Sequence, residues 1–386
     1  MATFHLVLGW LLGLVWLHRL LDIGLGMRQV ADIARPEWDR RPEPAPRVTI
    51  IVPARNEEEH VETALGSLLE LEYENYEVIA VNDRSTDATG VILDRLATAS
   101  AGRLRTLHIT ALPPGWLGKN HAMWKAAAMA TGDWLLFTDA DVVFRPDALR
   151  RAMAYSLAEK ADHLVVFPEV HLHTVGERMM TAFFMSLFIF GHRPWKVADP
   201  RTRDHMGVGA FNLVRRSTYD AIGTHEALRL EVIDDMKLGK LIKQGGFAQR
   251  NVIGPGLISL RWAHGAMGVV RNLTKNMFAL MLFRWPRTLG AAFLLLLLNI
   301  GPFAGVPLAT GWSRLGYVVA VAAIAALYAR MAPPLGVNPL YFLLHPVAGL
   351  LFAYTLLRSA FHAWRHGGVI WRDTKYSLDE LRRGLV

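Results

Sequence analysis

Val48-Thr-Ile-Ile-Val-Pro-Ala-Arg-Asn-Glu57 is a β-branched apolar run that breaks off into Pro, Arg, Asn and Glu. A short continuous apolar run bounded by turn residues reads as a strand buried on both faces. The pattern recurs in Val78-Ile-Ala-Val-Asn-Asp-Arg-Ser-Thr-Asp87 and in Leu135-Leu-Phe-Thr-Asp-Ala-Asp141. Leu164-Val-Val-Phe167 is a fourth apolar run. Helical patterns lie between these runs, at about 57–69, 88–97 and 120–130. Strands alternating with helices predict an α/β fold, with a largely parallel sheet covered on both faces. Ligands of such sheets bind beyond the carboxyl ends of the strands. Three successive strand exits carry carboxylates there. One would be an ordinary helix cap; three on one rim predict a site.

The flanks of this region are of another kind. Apolar residues make up 52% of the chain and charged residues 20%, with a mean hydropathy of +0.22. That composition excludes a disordered chain. The absence of cysteine excludes disulfides, thiolate metal sites and a cysteine nucleophile. Residues 6–18 are almost wholly apolar, with no basic residue before them and Arg28, Arg35, Arg40 and Arg41 after them. The expectation is an uncleaved anchor over 1–27 with its C-terminal side in the cytoplasm. Arg19 and Asp22 interrupt the run and leave an amphipathic surface helix as the alternative.

Residues 288–313, 315–329 and 331–357 hold no charge at all. They predict two or three transmembrane helices within 288–360. Gly301, Pro302, Gly305 and Pro307 mark the first as kinked or re-entrant. Three full crossings would put the basic tail (361–386, with Arg365, Arg372, Lys375, Arg382 and Arg383) outside, against the positive-inside tendency. Either one stretch does not cross or the tendency fails. Met179–Phe190 is apolar but too short to span. It reads either as an interfacial helix near 179–195, with Phe183, Phe184 and Phe188 turned to lipid, or as a buried core helix. The region 28–287 is left as one catalytic domain. Of the net charge of +8, residues 288–386 supply most, so the basic excess suits anionic headgroups rather than nucleic acid.

Joined to Gly118-Lys-Asn120, the three strand exits resemble the nucleotide-sugar-binding half of a family 2 glycosyltransferase, whose fold is GT-A, a Rossmann-like α/β domain. Gly207-Val-Gly-Ala-Phe-Asn-Leu-Val-Arg-Arg216 resembles that family's acceptor-side segment, and Ile233-Asp-Asp-Met-Lys-Leu-Gly239 its acidic catalytic motif. Pro114-Gly-Trp-Leu-Gly-Lys119, and Gly367-Gly-Val-Ile-Trp-Arg372 followed by Tyr376, look like ceramide glucosyltransferase-like and hopanoid- or carotenoid-associated bacterial members. The resemblance covers about 47–285 and the apolar ends.

The resemblance implies a nucleotide-sugar donor, a UDP-sugar, held by Pro53, Arg55, Glu57, Asp83, Lys119 and Asp139, with Asp83 on the uracil. It implies Mg2+ or Mn2+ on Asp139 and Asp141, because hard divalent ions take oxygen ligands and bridge to phosphates. Asp235 would be the general base of an inverting transfer, with Asp234 second. Arg284 and Trp285 would meet the departing diphosphate and the acceptor. Processive members carry Gln or Arg three residues before such an Arg-Trp pair. Met281 stands there instead, which speaks against a polymer channel. The expected acceptor is a membrane lipid, and the expected place is the cytoplasmic face of a bacterial inner membrane. A polysaccharide synthase and a non-catalytic nucleotide-binding membrane protein are the alternatives. His171-Leu-His173 suggests a metal pair, but no third ligand stands out.

Overall fold

The computed structural model describes residues 2–371 and 374–386; Arg372 of the basic tail lies outside the described residues. The chain forms two compact units. It begins in the helical unit with α1 (Ala2–Gly26), described after the α/β unit.

The α/β unit comprises 30–171, 194–261 and 379–386. Its elements in chain order are β1 (Val48–Ala54), α2 (Val61–Leu69), β2 (Tyr76–Asp83), α3 (Thr89–Ala99), β3 (Leu104–Ile109), α4 (Gly118–Met129), β4 (Trp134–Phe137), β5 (Val143–Phe144), α5 (Ala148–Ala158), β6 (His163–Phe167) and β7 (Glu169–Val170). After α6 (Val175–Gly191), which belongs to the helical unit, come β8 (Asn212–Arg215), α7 (Arg216–Ala221), α8 (Asp234–Gln244), β9 (Gln249–Ile253) and β10 (Ile258–Leu260). The main sheet has the order β3-β2-β1-β4-β8-β6-β9. The expected largely parallel sheet is present, with β8 antiparallel to both its neighbours. β5, β10 and β7 form a second, three-stranded sheet.

All seven residues of β1 are buried, as befits a central strand covered on both faces. Side chains alternate between the two covers. Val48, Ile50 and Val52 pack with Val61, Leu65 and Leu68 of α2. Ile51 packs with Ala122, Met123 and Ala126 of α4 and with Leu238 and Ile242 of α8. The ladder sets the height of each strand exit. Ala54 pairs with Asn82, so β1 and β2 end level. Pairing with β4 stops at Ile51 and Phe137, so β4 ends lower. Pro53 therefore sits where β1 has a partner on one side only, the place where a strand tolerates a missing N–H.

The helical unit comprises 1–29, 172–193 and 262–378. It adds α9 (Gly265–Leu280), α10 (Trp285–Asn299), α11 (Gly301–Leu308), α12 (Gly311–Leu335), α13 (His345–Arg365), and a hairpin of β11 (Gly368–Trp371) and β12 (Thr374–Ser377); α14 (Leu378–Arg383) leads into the α/β unit. Segments 2–29, 311–331 and 339–365 are long and apolar enough to cross a membrane. α10 and α11 meet at 49°, and the break falls where Gly301 and Pro302 follow Asn299. The sequence-based expectation of a kinked or re-entrant segment holds.

α6 is capped by a reciprocal Thr174–Glu177 box. Met180 and Phe183 are fully buried in a cluster with α9, α10 and α13. Phe183 is thus a core residue and not a lipid-facing one, while Phe184 and Phe188 are half-buried. Residues 172–193 and 262–287 group with the helices and not with the sheet, so the contact pattern cuts the 28–287 region differently from its sequence.

Candidate active site

The β1 and β2 exits are laced to each other. Asn56 N donates to Ser85 Oγ (3.1 Å), Thr86 N to Asn56 Oδ1 (2.8 Å), Glu57 N to Thr89 Oγ1 (2.8 Å) and Ala88 N to Glu58 Oε2 (2.8 Å). Asn56 and Arg84 hold left-handed backbone at φ 53° and 55°. The two loops therefore form one rigid rim. Asp83 is buried, and both its oxygens accept from Arg84, at 2.7 and 3.1 Å. Arg55 sits on this rim with its buried Nε unmatched by a hydrogen bond.

Thr138 and Asp139 leave the lower β4 exit. Thr138 N donates to Ile51 O (3.2 Å) and Asp139 N to Gly209 O (3.1 Å). Antiparallel pairing of Phe137 with Asn212 brings the preceding Gly207–Phe211 stretch down beside Asp139. α8 opens with Asp234 and Asp235 in its first turn, where the helix dipole favours anions. Asp235 Oδ2 accepts from Gly209 N (2.9 Å) and Oδ1 from Met236 N (2.7 Å).

Lys119 joins the two acidic motifs. Its Nζ lies 2.7 Å from Asp139 Oδ1 and 3.7 Å from Asp234 Oδ2. Burial would lower its pKa, but Asp139, Asp234 and Asp235 outweigh that and hold it above the ordinary lysine value. One ammonium thus serves three carboxylates. Asp235 shows the imbalance: burial and then Asp234 push its carboxyl up to about 6. Asp141 behaves likewise, pushed to about 6 by burial, then by Asp139 and Glu57. Glu57, Asp139 and Asp141 therefore share one neighbourhood.

The structure thus gathers Glu57, Lys119, Asp139, Asp141, Asp234 and Asp235 at the carboxyl rim, with Pro53, Arg55 and Asp83 on the laced loops. Arg284 and Trp285 lie in the helical unit, on the turn from α9 into α10. Leu282 and Phe283 before them are both left-handed, at φ 54° and 53°. His264 caps the start of α9 in that unit too. Among the described residues, no group of three or more His, Asp or Glu is arranged to hold a metal by itself.

Sequence reasoning gave no roles to Gly207, Gly209, Asn120 or His225. A Cβ on Gly209 would stand 2.5 Å from Asp139 Oδ2, and one on Gly207 only 1.8 Å from Asp235 O. Those glycines let the chain thread between the two acidic motifs; their spacing ahead of a short strand was the available signal. Asn120 Nδ2 donates to Leu228 O (2.5 Å) and Glu231 O (3.0 Å), tying α4 to the loop before Asp234.

Residues 49–223 match the Glycosyl transferase family 2 profile. The chain carries a family 2 glycosyltransferase domain. The matched span runs from β1 through α7, so Asp234 and Asp235 lie just past it. Over 343 residues the chain is 24% identical to 4,4'-diaponeurosporenoate glycosyltransferase of Staphylococcus aureus (strain MRSA252), covering 86% of this chain and 89% of that relative. Among solved structures, it resembles the mannosyltransferase PcManGT from Pyrobaculum calidifontis in complex with GDP-Man and Mn2+. The TM-score is 0.56, at 20% identity, covering 93% of this chain and 99% of that one. The protein is a glycosyltransferase of GT-A fold.

Proposed function

We propose that this glycosyltransferase moves one sugar from a nucleoside diphosphate sugar, a UDP-sugar by the Asp83 reading, to a hydroxyl of a membrane lipid, with inversion. The observation that carries this reading is the Lys119 bridge, which draws Asp139 of the donor motif and Asp234 of the acceptor motif to one ammonium. In the transfer, the acceptor oxygen bonds to the anomeric carbon as the bond to the diphosphate breaks. Asp235 takes the acceptor proton. Its raised proton affinity suits a base working near neutral pH. Gly209 N–H holds the Asp235 carboxylate in place. Lys119 keeps Asp139 and Asp234 together despite their like charges.

A divalent cation fits the residues present. Burial first, and then the neighbouring charges of Asp139 and Glu57, push up the Asp141 carboxyl, and carboxylate oxygens are the donors that Mg2+ and Mn2+ take. Asp139 and Asp141 would hold it, and it would supply charge neutralisation for the leaving diphosphate. The solved mannosyltransferase contains Mn2+, which supports this assignment. The relative's name, with its carotenoid substrate, supports an apolar acceptor. Three helices of spanning length support an integral membrane protein, which we place with its α/β unit in the cytoplasm. Arg284 and Trp285 are proposed to meet diphosphate and acceptor.

The test is purified full-length protein with a panel of nucleotide sugars and extracted lipids, read by release of nucleoside diphosphate and by the anomeric configuration of the product. Release with one donor–lipid pair and an inverted product is expected. Asp235→Asn should keep donor binding and lose about 10²–10⁴-fold in turnover. A retained configuration, or normal turnover by that variant, counts against the reading.

A further inference from the structure

The loop that delivers Asp234 and Asp235 is held from two sides. It starts at buried His225 and closes on itself in turns, with Leu228 N donating to His225 O (3.1 Å) and Glu231 N to Leu228 O (2.9 Å). From one side α4 ties it, through Asn120 Nδ2 to Leu228 O and Glu231 O. The other ties come from the segment after α13 and its hairpin. Val386 N donates to Glu231 Oε1, and Lys237 Nζ donates to Val386 O. Lys237 Nζ also lies 3.2 Å from Glu231 Oε1. The three groups close a triangle. Glu231 precedes Asp234 in the loop and Lys237 follows Asp235 in α8, so the triangle brackets the acidic pair.

Each side of the triangle answers a physical demand. The Glu231 side chain is 2% exposed, and a carboxylate so buried needs a cation and hydrogen-bond donors. Lys237 supplies the first and the Val386 N–H adds to the second. Apolar contact seats the same segment. Leu381 of α14 is fully buried, and Val386 packs against the cluster that contains Leu228 and Leu238. Gly384 runs against the loop itself: a Cβ there would stand 2.3 Å from Leu230 Cβ. The four hydrogen bonds that lace the β1 and β2 exits use no residue of this segment.

We propose that Asp379–Val386 is a strap that positions the acidic pair: by bridging Glu231 and Lys237 it fixes the joint between the loop and α8, and thereby where Asp234 and Asp235 stand against Lys119 and Gly209. Glu231 and Lys237 are positioning residues, which act through the two aspartates. α8 presents Asp235 to Gly209 N–H at 2.9 Å and Asp234 to Lys119 Nζ at 3.7 Å. A shift of the joint by about 1 Å would undo both, and misplacement on that scale costs up to about 100-fold in rate. The proposal rests on the transfer function put forward above, because it takes Asp235 as the base.

The test uses full-length protein in detergent. Val386→Pro removes one N–H and keeps the carbonyl. Gly384→Leu drives a side chain against Leu230 and lifts the strap. Lys237→Met strips Glu231 of its cation, and Lys237→Arg restores one. Turnover is counted per site that binds nucleoside diphosphate, so misfolded protein does not enter the comparison. We expect Val386→Pro and Gly384→Leu each to lower kcat about 10-fold, the order of a lost hydrogen bond to a charged group, with the donor KM within about two-fold. Lys237→Met should lose more, Lys237→Arg should regain most of that loss, and Val386→Pro added to Lys237→Met should cost little further. Wild-type kcat in both Val386→Pro and Gly384→Leu, or a donor KM that rises as much as kcat falls, overturns the proposal. A second readout is independent of turnover. Backbone hydrogen exchange should quicken across 225–240 in both of those variants and stay unchanged across 54–60 and 82–89. Unchanged exchange across 225–240 overturns the strap. A wild-type protein that releases nucleoside diphosphate from no donor, while exchange responds as stated, overturns the transfer reading instead.

Discussion

Asp141 carries the plainest sign of unbalanced charge at the site. Its folded-state pKa of about 6 stands above the ordinary 3.8, with burial first and the Asp139 and Glu57 carboxylates next. A carboxyl raised on folding opposes folding when it ionises, so the protein loses stability as pH rises from about 4 through 6. The loss is roughly 1–3 kcal/mol once partial solvent screening is allowed for. In chelator at pH 7.5, Asp141→Asn should therefore melt a few degrees above the wild type. Added Mn2+ should raise the melting point of the wild type and leave that variant unmoved, a comparison made by thermal unfolding with no substrate present. Asp235, the proposed base, is likewise pushed up to about 6, by burial first and Asp234 next. It must be ionised to accept a proton, so kcat/KM at saturating metal should rise with pH through about 6 and level off above. A rate independent of pH between 5 and 8 would show that Asp235 is not the base. The acidic residues were legible as a cluster, because three successive strand exits carry carboxylates to one rim. The glycines between them were not, because nothing in Gly-Val-Gly says which side chains it must pass.

At the scale of elements, the parallel strands β1, β2 and β4 were readable as short apolar runs, since both of their faces are covered. β3 was missed. Leu-Arg-Thr-Leu-His-Ile at the sheet edge mixes polar and apolar residues, and its middle positions are partly exposed. β8 was missed for another reason: four residues that run antiparallel carry too little pattern to separate from a loop. The helix reading over 57–69 began too early, because Asn56–Glu58 are spent lacing the rim and α2 starts only at Val61. The contact that ties down the loop before Asp234 and Asp235 also joins elements distant in sequence. Asn120, in the first turn of α4, holds two carbonyls of the loop that delivers Asp234 and Asp235, and Leu117 N adds a third tie, to Arg229 O, at 2.7 Å. Asn120→Ala leaves two buried carbonyls without that donor, a cost of about 2–4 kcal/mol. The expected result is a lowered melting temperature together with a kcat loss larger than any change in donor KM. Unchanged stability would mean that Leu117 alone suffices to hold the loop.

For the whole molecule, the open question left by the sequence was one of parity, and the structure supplies two facts that bear on it. The chain from Asp379 to Val386 groups with the α/β unit, where Lys237 Nζ donates to Val386 O. α10 and α11 form a bent pair, whereas α12 and α13 are each long enough to cross. If the protein spans a membrane, a chain that leaves the α/β unit after Arg261 and rejoins it at Asp379 would make an even number of crossings. With α12 and α13 as two of them, the bent pair would enter and return on the same side. Arg365, at the end of α13, and Lys375 beyond it would then lie on the cytoplasmic side, as the positive-inside tendency expects. Because the protein has no cysteine, each engineered cysteine is the sole thiol. In intact cells a membrane-impermeant maleimide should label Asn338→Cys, between α12 and α13, and should not label Thr310→Cys, between α11 and α12, until the membrane is opened. Labelling at 310 with protection at 338 would mean that the bent pair crosses. The tail would then emerge on the far side from the catalytic sheet, which the grouping of Asp379–Val386 with that sheet forbids. The labelling pattern thus decides between a re-entrant pair and a third crossing.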